Sequence, residues 1–337
     1  MFVPHEGCPN DCVFCNQKMI TGQSVVLGEK ETKETIEKFI DIIYNRIDDN
    51  PVDTEIAFFG GSFTGIERNK MINYLETANE YMDKHSIIKG IRLSTRPDYI
   101  SCEIIDILKK YRVKSIELGI QSMFDDVLSL CKRGHTVKDT EKACGIIKSA
   151  GIGLTGQMML GLPGSTREKD IETAKMLANL GVDSSRIYPT IVLKFTELYE
   201  MYRKNKYEPL ELGEAVFRAK EIKKIFDLNN IEVLRMGLCS SDDISINNSD
   251  NIAGAYHPAF GELVESEIIY DKLTNELKNK NINSGEIILF VNKCSMSKVV
   301  GQKRKNIERI KNNFGLKNIK IVEDNNTDLY KVIISEN

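Results

Sequence analysis

A chain of 337 residues with 41% hydrophobic and 28% charged positions has core enough for a soluble globular protein and too many apolar residues for a disordered one. No apolar run approaches membrane-spanning length and no secretory signal precedes the first motif, so membrane and exported classes are set aside and a cytoplasmic location is expected. The net charge of −3 says nothing about partners by itself; its distribution along the chain does.

The chain opens on Cys8-Pro-Asn-Asp-Cys12-Val-Phe-Cys15, with Met1 seven residues before the first cysteine. Thiolates are the ligands that iron–sulfur clusters take. Three thiolates on a four-iron cubane leave one iron open to a small molecule, which turns an electron carrier into a catalyst. A structural zinc knuckle is the competing reading, because His5 would complete a tetrahedral set with Cys8, Cys12 and Cys15. Cys102, Cys131, Cys144, Cys239 and Cys294 are scattered without paired spacing, which fits a reducing compartment and no disulfide framework.

Beyond the loop, short β-rich runs alternate with amphipathic stretches. Strands are expected at Met1–Pro4, Glu55–Phe59, Gly90–Ser94, Ser115–Leu118, Gly153–Leu160 and Ser185–Ile191. Helices are expected at Glu31–Ile47, Asn69–Lys84, Cys102–Tyr111, Thr136–Ser149, Thr166–Leu180 and Glu211–Leu228. Strand then helix, six times over, predicts a parallel sheet in a partial (βα)6 barrel, and Ile231–Met236 would extend it. Ser240–Asn251 reads as an exposed loop, followed by a helix to about Leu277 and a linker at Asn279–Gly285. The expected domains are a barrel over 1–240, a closing segment over 241–279 and a small unit over 280–337.

In such barrels chemistry gathers where strands end. The second strand ends in Gly60-Gly61, where the missing Cβ lets backbone approach a ligand. The third ends in Ser94-Thr-Arg-Pro97, with Pro97 forcing Arg96 into extended geometry and a helix start following at Asp98 or Ser101. In the fourth, Glu117 falls in an apolar run and needs a partner; Arg133 is one candidate, or else Gln121 and Arg133 contact a cofactor. His135 reads as a hydrogen-bonded helix-start residue before it reads as a catalyst. In the fifth, Gln157 points into the barrel, Gly161 and Gly164 bracket a turn, and Met158 and Met159 read as core.

These motifs, with Arg186-Ile-Tyr-Pro-Thr-Ile-Val-Leu-Lys-Phe-Thr-Glu-Leu-Tyr199 and His257-Pro258, resemble the radical S-adenosylmethionine superfamily. Within it they are most similar to the radical domain of the Elongator catalytic subunit and to short bacterial proteins like it, from Phe2 to about Glu267. The resemblance implies a [4Fe–4S] cluster on Cys8, Cys12 and Cys15, which removes the zinc reading. It implies S-adenosylmethionine held by Gly60, Gly61, Ser94, Glu117, Gln121, Arg133 and Gln157. It also implies an external electron donor such as flavodoxin or ferredoxin, and reductive cleavage of the cofactor to a 5′-deoxyadenosyl radical that takes a hydrogen atom from substrate or from bound acetyl-CoA. Tyr188, Lys194 and His257 are the candidate catalytic residues, with Arg235 beside them. There are two departures. The cysteines have the compact spacing of coproporphyrinogen-oxidase-like members, and nothing after Leu277 has the length or glycine-rich loop of an acetyltransferase.

The last unit orders a strand at Glu286–Asn292, a loop from Val300 to Asn306, a helix through Phe314, and strands at Ile319–Glu323 and Tyr330–Ser335. It resembles a small α+β KH-like RNA-binding module, with Arg304 standing where the second loop glycine belongs. Lys303, Arg304, Lys305 and Arg309 are its candidate RNA contacts, within a basic stripe that also holds Lys298, Lys311, Lys317 and Lys320. The leading function is radical modification of a nucleoside in tRNA or rRNA, with no DNA and no membrane partner. A radical enzyme on a tetrapyrrole or free nucleobase, and a non-enzymatic RNA-binding iron–sulfur protein, stand as alternatives.

Overall fold

The computed structural model describes residues 2–3, 7–8, 11–15, 28–45, 53–238, 251–283, 285–328 and 332–336. His5 and nearly all of the loop expected over Ser240–Asn251 lie outside the described residues.

Seven strands form one parallel sheet: β1 (Phe2–Val3), β2 (Thr54–Gly60), β3 (Ile88–Thr95), β4 (Val113–Gln121), β5 (Gly153–Leu160), β6 (Ser184–Pro189) and β8 (Glu232–Met236). They lie side by side in chain order and, among the described residues, the two ends do not pair, so the barrel is partial, as expected. The helices between them are α1 (Glu29–Tyr44), α2 (Arg68–Lys84), α3 (Cys102–Lys110), α4 (Asp125–Leu130), α5 (Val137–Ser149), α6 (Arg167–Asn179), α7 (Glu197–Arg203) and α8 (Leu212–Leu228). Their starts are written locally. The Ser101 side chain accepts from Ile104 N at 3.3 Å to begin α3, and Thr136 with Asp139 forms a capping box on α5.

The strands alternate toward their C-terminal ends, and this builds the site. In β4, past a register shift at its first residues, Ile116, Leu118 and Ile120 are buried under helices, while Ser115, Glu117 and Gly119 are half-buried on the opposite face. β5 does the same with Leu154, Met158 and Leu160 against Gln157 and Met159, and β6 with Ile187 against Arg186 and Tyr188. A parallel sheet covered on both faces would be apolar throughout. Here the inner face is polar, so it lines a cavity instead of a core.

The strand expected over Ser185–Ile191 breaks at Pro189. A proline has no N–H for the ladder, and the chain leaves β6 to form β7 (Ile191–Leu193), which pairs antiparallel with β9 (Asn251–Gly254). From there α9 (Phe260–Asn279) runs on to the last unit, β10 (Gly285–Val291), α10 (Met296–Val300), α11 (Lys305–Phe314), β11 (Leu316–Glu323) and β12 (Val332–Glu336). Its sheet runs β11-β10-β12, with β10 parallel to β11 and antiparallel to β12. The expected strand, helix and two strands are all present, and the short helix α10 ahead of the loop is an element that was not expected. α9 serves both cores: Phe260 and Val264 pack into the barrel core, while Ile269, Tyr270, Leu273 and Leu277 pack with Ile287, Leu289, Ile307 and Ile310 of the last unit.

Candidate cofactor and substrate pocket

The cysteine loop is seated on the glycine turn. Gly7 has φ of +75°, and a Cβ there would lie 2.2 Å from the Ser62 carbonyl oxygen, so only glycine lets the two backbones approach this closely. The turn is locked in its own right. Ser62 and Thr64 hydroxyls sit 2.9 and 2.7 Å from Thr95 Oγ1, tying the end of β2 to the end of β3. On its other side the loop is held by Val13, whose N–H donates to Cys131 O at 3.2 Å and whose carbonyl accepts from Leu198 N at 2.7 Å. The cysteines therefore rest among the ends of β2, α4 and α7.

A cavity of about 440 Å³ opens beneath them. Cys8, Cys15, Gly60, Gly61, Ser94, Glu117, Gln121, Arg133, Gln157 and Tyr188 all line it. Cys12 is buried, with its Sγ accepting from Arg133 Nη1 at 3.3 Å. Burial pushes the Cys8 thiol up from its ordinary value, while the Arg96 and Arg133 charges pull it back. Among the described residues no His, Cys, Asp and Glu side chains converge as a group on a single metal ion; a cubane takes its thiolates on separate irons. No disulfide links the described cysteines.

The pocket wall fits a polar cofactor with a planar part. Ser94 Oγ and Arg96 Nη1 are buried without a hydrogen-bond partner among the described residues, and both side chains belong to the wall; groups left this way call for a ligand. Arg96 is otherwise fixed by a two-armed pair with Asp98, at 2.9 Å on each arm. Gln121 and Gln157 exchange amide hydrogen bonds at 2.9 and 2.8 Å, with Gln121 in left-handed backbone at φ of +70°. A Cβ on Gly119 would come within 3.1 Å of Gln121 Nε2 and 3.2 Å of Arg133 Nη2, so the bare backbone there is what seats both side chains. Gly119 was not among the expected site residues, although a glycine inside a strand is a readable sign of close approach.

Two expectations are corrected. The partner of Glu117 is Arg186, at 2.8 Å from Nε to Oε2, and Arg133 instead donates to Gly119 O at 2.6 Å and to Cys12. Arg186 reaches Glu117 because both side chains stand on the inner face, with β5 between their strands. Met159 lines the pocket, whereas Met158 is core as expected; adjacent strand residues point to opposite faces. Burial raises Glu117 above the usual carboxylate range against the pull of Arg186, and raises Tyr188 likewise. The Tyr188 hydroxyl lies 3.4 Å from Arg186 Nη1. Phe14, Phe59, Ile191, Leu193 and Leu238 supply the apolar part of the wall.

Lys194 and His257 stand outside this wall. His257 Nδ1 accepts from Ala259 N at 3.1 Å, and its Nε2 is 3.5 Å from the Gln302 amide in the Gly301 loop. In that loop Lys303, Arg304 and Lys305 are exposed, with φ of +52° and +61° at the first two. Arg309 is engaged elsewhere, pairing with Glu267 at 2.6 Å over the face of Tyr270.

An open parallel half-barrel with three loop cysteines over a polar inner face defines a class. Residues 2–177 match the Radical SAM superfamily and residues 182–270 the Radical_SAM C-terminal domain, so the chain belongs to the radical SAM superfamily. Within that class its similarity is to Elongator-type proteins. It is 38% identical over 163 residues to a tRNA uridine(34) acetyltransferase of Methanocaldococcus jannaschii, covering 48% of this chain and 29% of the relative. Over 122 residues it is 36% identical to Elongator complex protein 3 of Saccharomyces cerevisiae, covering 35% of this chain and 22% of the relative. An uncharacterized protein of M. jannaschii matches at 31% over 221 residues, 64% of this chain and 63% of its own length. The structure of archaeal Elp3 from M. infernus, lacking residues 1–46, superposes with a TM-score of 0.58 at 27% identity, covering 75% of this chain and 59% of that one. In each case the chain spans less than two thirds of the relative's length.

Proposed function

We propose that this protein is a radical S-adenosylmethionine enzyme that modifies a nucleoside within tRNA or rRNA. The observation that carries the reading is the convergence of the cysteine loop, the Gly60-Gly61 turn and the polar inner faces of β3 to β6 on one cavity. Cys8, Cys12 and Cys15 would hold the [4Fe–4S] cluster. The Gly60-Gly61 backbone, Ser94, Gln121, Arg133 and Gln157 would hold S-adenosylmethionine. When bound, this pair supplies reductive cleavage of the sulfonium and hydrogen-atom abstraction.

The remaining work belongs to the chain. Arg133, held by Gly119 O on one arm and Cys12 Sγ on the other, places its positive charge at the pocket wall where a carboxylate would be met. The Gln121–Gln157 amide pair offers a flat polar surface whose orientation is set from both sides. Phe14, Phe59, Met159, Ile191, Leu193 and Leu238 keep water from the reacting atoms. Glu117, Arg186 and Tyr188 form a hydrogen-bonded row deeper on the inner face and are candidates to meet the substrate. An RNA substrate is supported by the names of the tRNA-acting relatives and by the exposed Lys303–Lys305 loop, which reaches the barrel through His257.

Anaerobic reconstitution with iron, sulfide and dithionite is expected to yield 5′-deoxyadenosine, and Cys12→Ala to abolish it. An intact cluster that never cleaves the cofactor overturns the enzyme reading. Nucleoside mass spectrometry of RNA from cells with and without the protein is expected to differ by one modified nucleoside. Identical profiles for tRNA and rRNA would redirect the search to a small molecule.

A further inference from the structure

We infer that Phe195 is a stacking platform for a base of single-stranded RNA, at one end of a track that starts at the Gly301 loop and crosses the β7–β9 ribbon. The inference rests on the RNA reading above and extends it to a residue inside the Arg186–Tyr199 motif that had been given no role.

Phe195 is 76% exposed, the most exposed aromatic side chain among the described residues. Single apolar residues on a surface are ordinary, but this one also holds φ of +60°, in the left-handed region that non-glycine residues seldom enter. Its turn is locked. Thr196 Oγ1 donates to Leu193 O at 2.7 Å and accepts from Tyr199 N at 3.1 Å, and the next turn is pinned where Leu198 N donates to Val13 O. The ring is thus held out into solvent by a fixed backbone, beside the cysteine loop.

Its place gives the exposure a use. Phe195 follows Leu193, which lines the pocket together with Ile191. Those two residues are the ends of β7, paired with Asn251 and Gly254 of β9. Three residues past Gly254 is His257, whose ring meets Gln302 of the Gly301 loop at 3.5 Å. Four steps from Phe195 to Ile191 and three from Gly254 to His257 span at most about 23 Å, at ~3.3 Å per fully extended residue. The chain therefore links the basic loop to Phe195 by way of Ile191 and Leu193, two buried residues that line the pocket.

The two ends differ in the way a single strand of RNA requires. At the loop, Lys303, Arg304 and Lys305 are exposed cations that suit phosphates. At the other end the aromatic face suits any base, because stacking is tolerant of sequence. A strand held at both points would lay its intervening nucleotides across the pocket. A protein partner would use the ring without the loop, and that difference separates the two.

The test uses the full chain and a fluorescein-labelled single-stranded uridine 12-mer, read by anisotropy over a series of salt concentrations. Phe195→Ala is expected to weaken binding about tenfold with the wild-type salt slope, as loss of one stacked base does. Phe195→Trp is expected to restore affinity, and Lys303→Ala/Arg304→Ala to flatten the salt slope. Wild-type affinity in Phe195→Ala overturns the inference and leaves the RNA reading standing. A wild-type chain that retains no 12-mer removes the RNA reading itself. A Phe195→Ala defect confined to reduction by flavodoxin, with 12-mer affinity intact, assigns the ring to a redox partner and overturns the inference too.

Discussion

His135 shows how little a residue's type says about its state. It precedes the cap of α5, where a helix-start hydrogen bond was expected; instead both ring nitrogens are buried and reach no helix-start partner, with the Ile120 backbone as the polar group beside the ring. Burial, with the nearby Arg133 charge second, pushes its pKa down to about 4. A histidine with a depressed folded pKa binds its proton more readily when unfolded, so stability rises with pH between about 4 and 6.5 and is level above. Acidification across that window is expected to cost about 3 kcal/mol from this group. Urea unfolding at a series of pH values checks this, and His135→Gln should remove that part of the slope. Phe195 carries a second prediction. Left-handed backbone costs a non-glycine residue about 1–2 kcal/mol, and glycine's extra unfolded freedom takes back about 0.5–1. Phe195→Gly is therefore expected to leave thermal stability equal or up to about 1 kcal/mol higher, measured by calorimetry; a drop of 2 kcal/mol would show that the turn is not strained.

At the scale of elements, buried ion pairs hold the barrel's loops, and their partners lie far apart in sequence. Asp170, at the start of α6, accepts from Gly161 N at 3.0 Å, Ser165 Oγ at 2.5 Å and Arg218 Nη1 of α8 at 2.7 Å. It fixes the Gly161–Gly164 turn next to the pocket-lining end of β5. Asp170→Ala strands the Arg218 charge and the Gly161 amide, and is expected to cost about 3–5 kcal/mol; denaturant midpoints for the single and Asp170→Ala/Arg218→Ala variants measure it. The Glu117–Arg186 pair repeats the pattern, 69 residues apart. Glu117 alone announced that it needed a partner, because a carboxylate in an apolar run does. Which arginine supplied it depended on register across β5. Long strands and helices were legible from their periods, whereas β7 and α4, three and six residues long, carry too few positions for a period to show.

Over the whole molecule, α9 binds the two units into one. Its second half completes the core of the last unit, so removing that unit exposes Ile269, Tyr270, Leu273 and Leu277 together. A chain ended at Asn283 is expected to bind a hydrophobic dye and to lose several degrees in melting temperature, since each bared large apolar side chain forfeits about 1.5–3 kcal/mol of burial. A truncated chain that stays monomeric and melts as the full one does would show that the barrel closes without it. RNA binding by the last unit is for this reason better tested by loop substitutions than by deletion.

The sequence by itself determined the rhythm of strands and helices, the cysteine loop, the glycine turn and the superfamily, because these depend on spacing along the chain. It also marked Ser94, Gln121, Arg133, Gln157 and Tyr188, which meet at one cavity. Only the tertiary structure decided that Arg186 holds Glu117 and that Gly119 seats Arg133. It alone put Met159 on the pocket wall and ran the β7–β9 ribbon from Phe195 toward the Gly301 loop. Those are matters of register and of facing surfaces, fixed by which strand lies beside which, and no local pattern of residues encodes them.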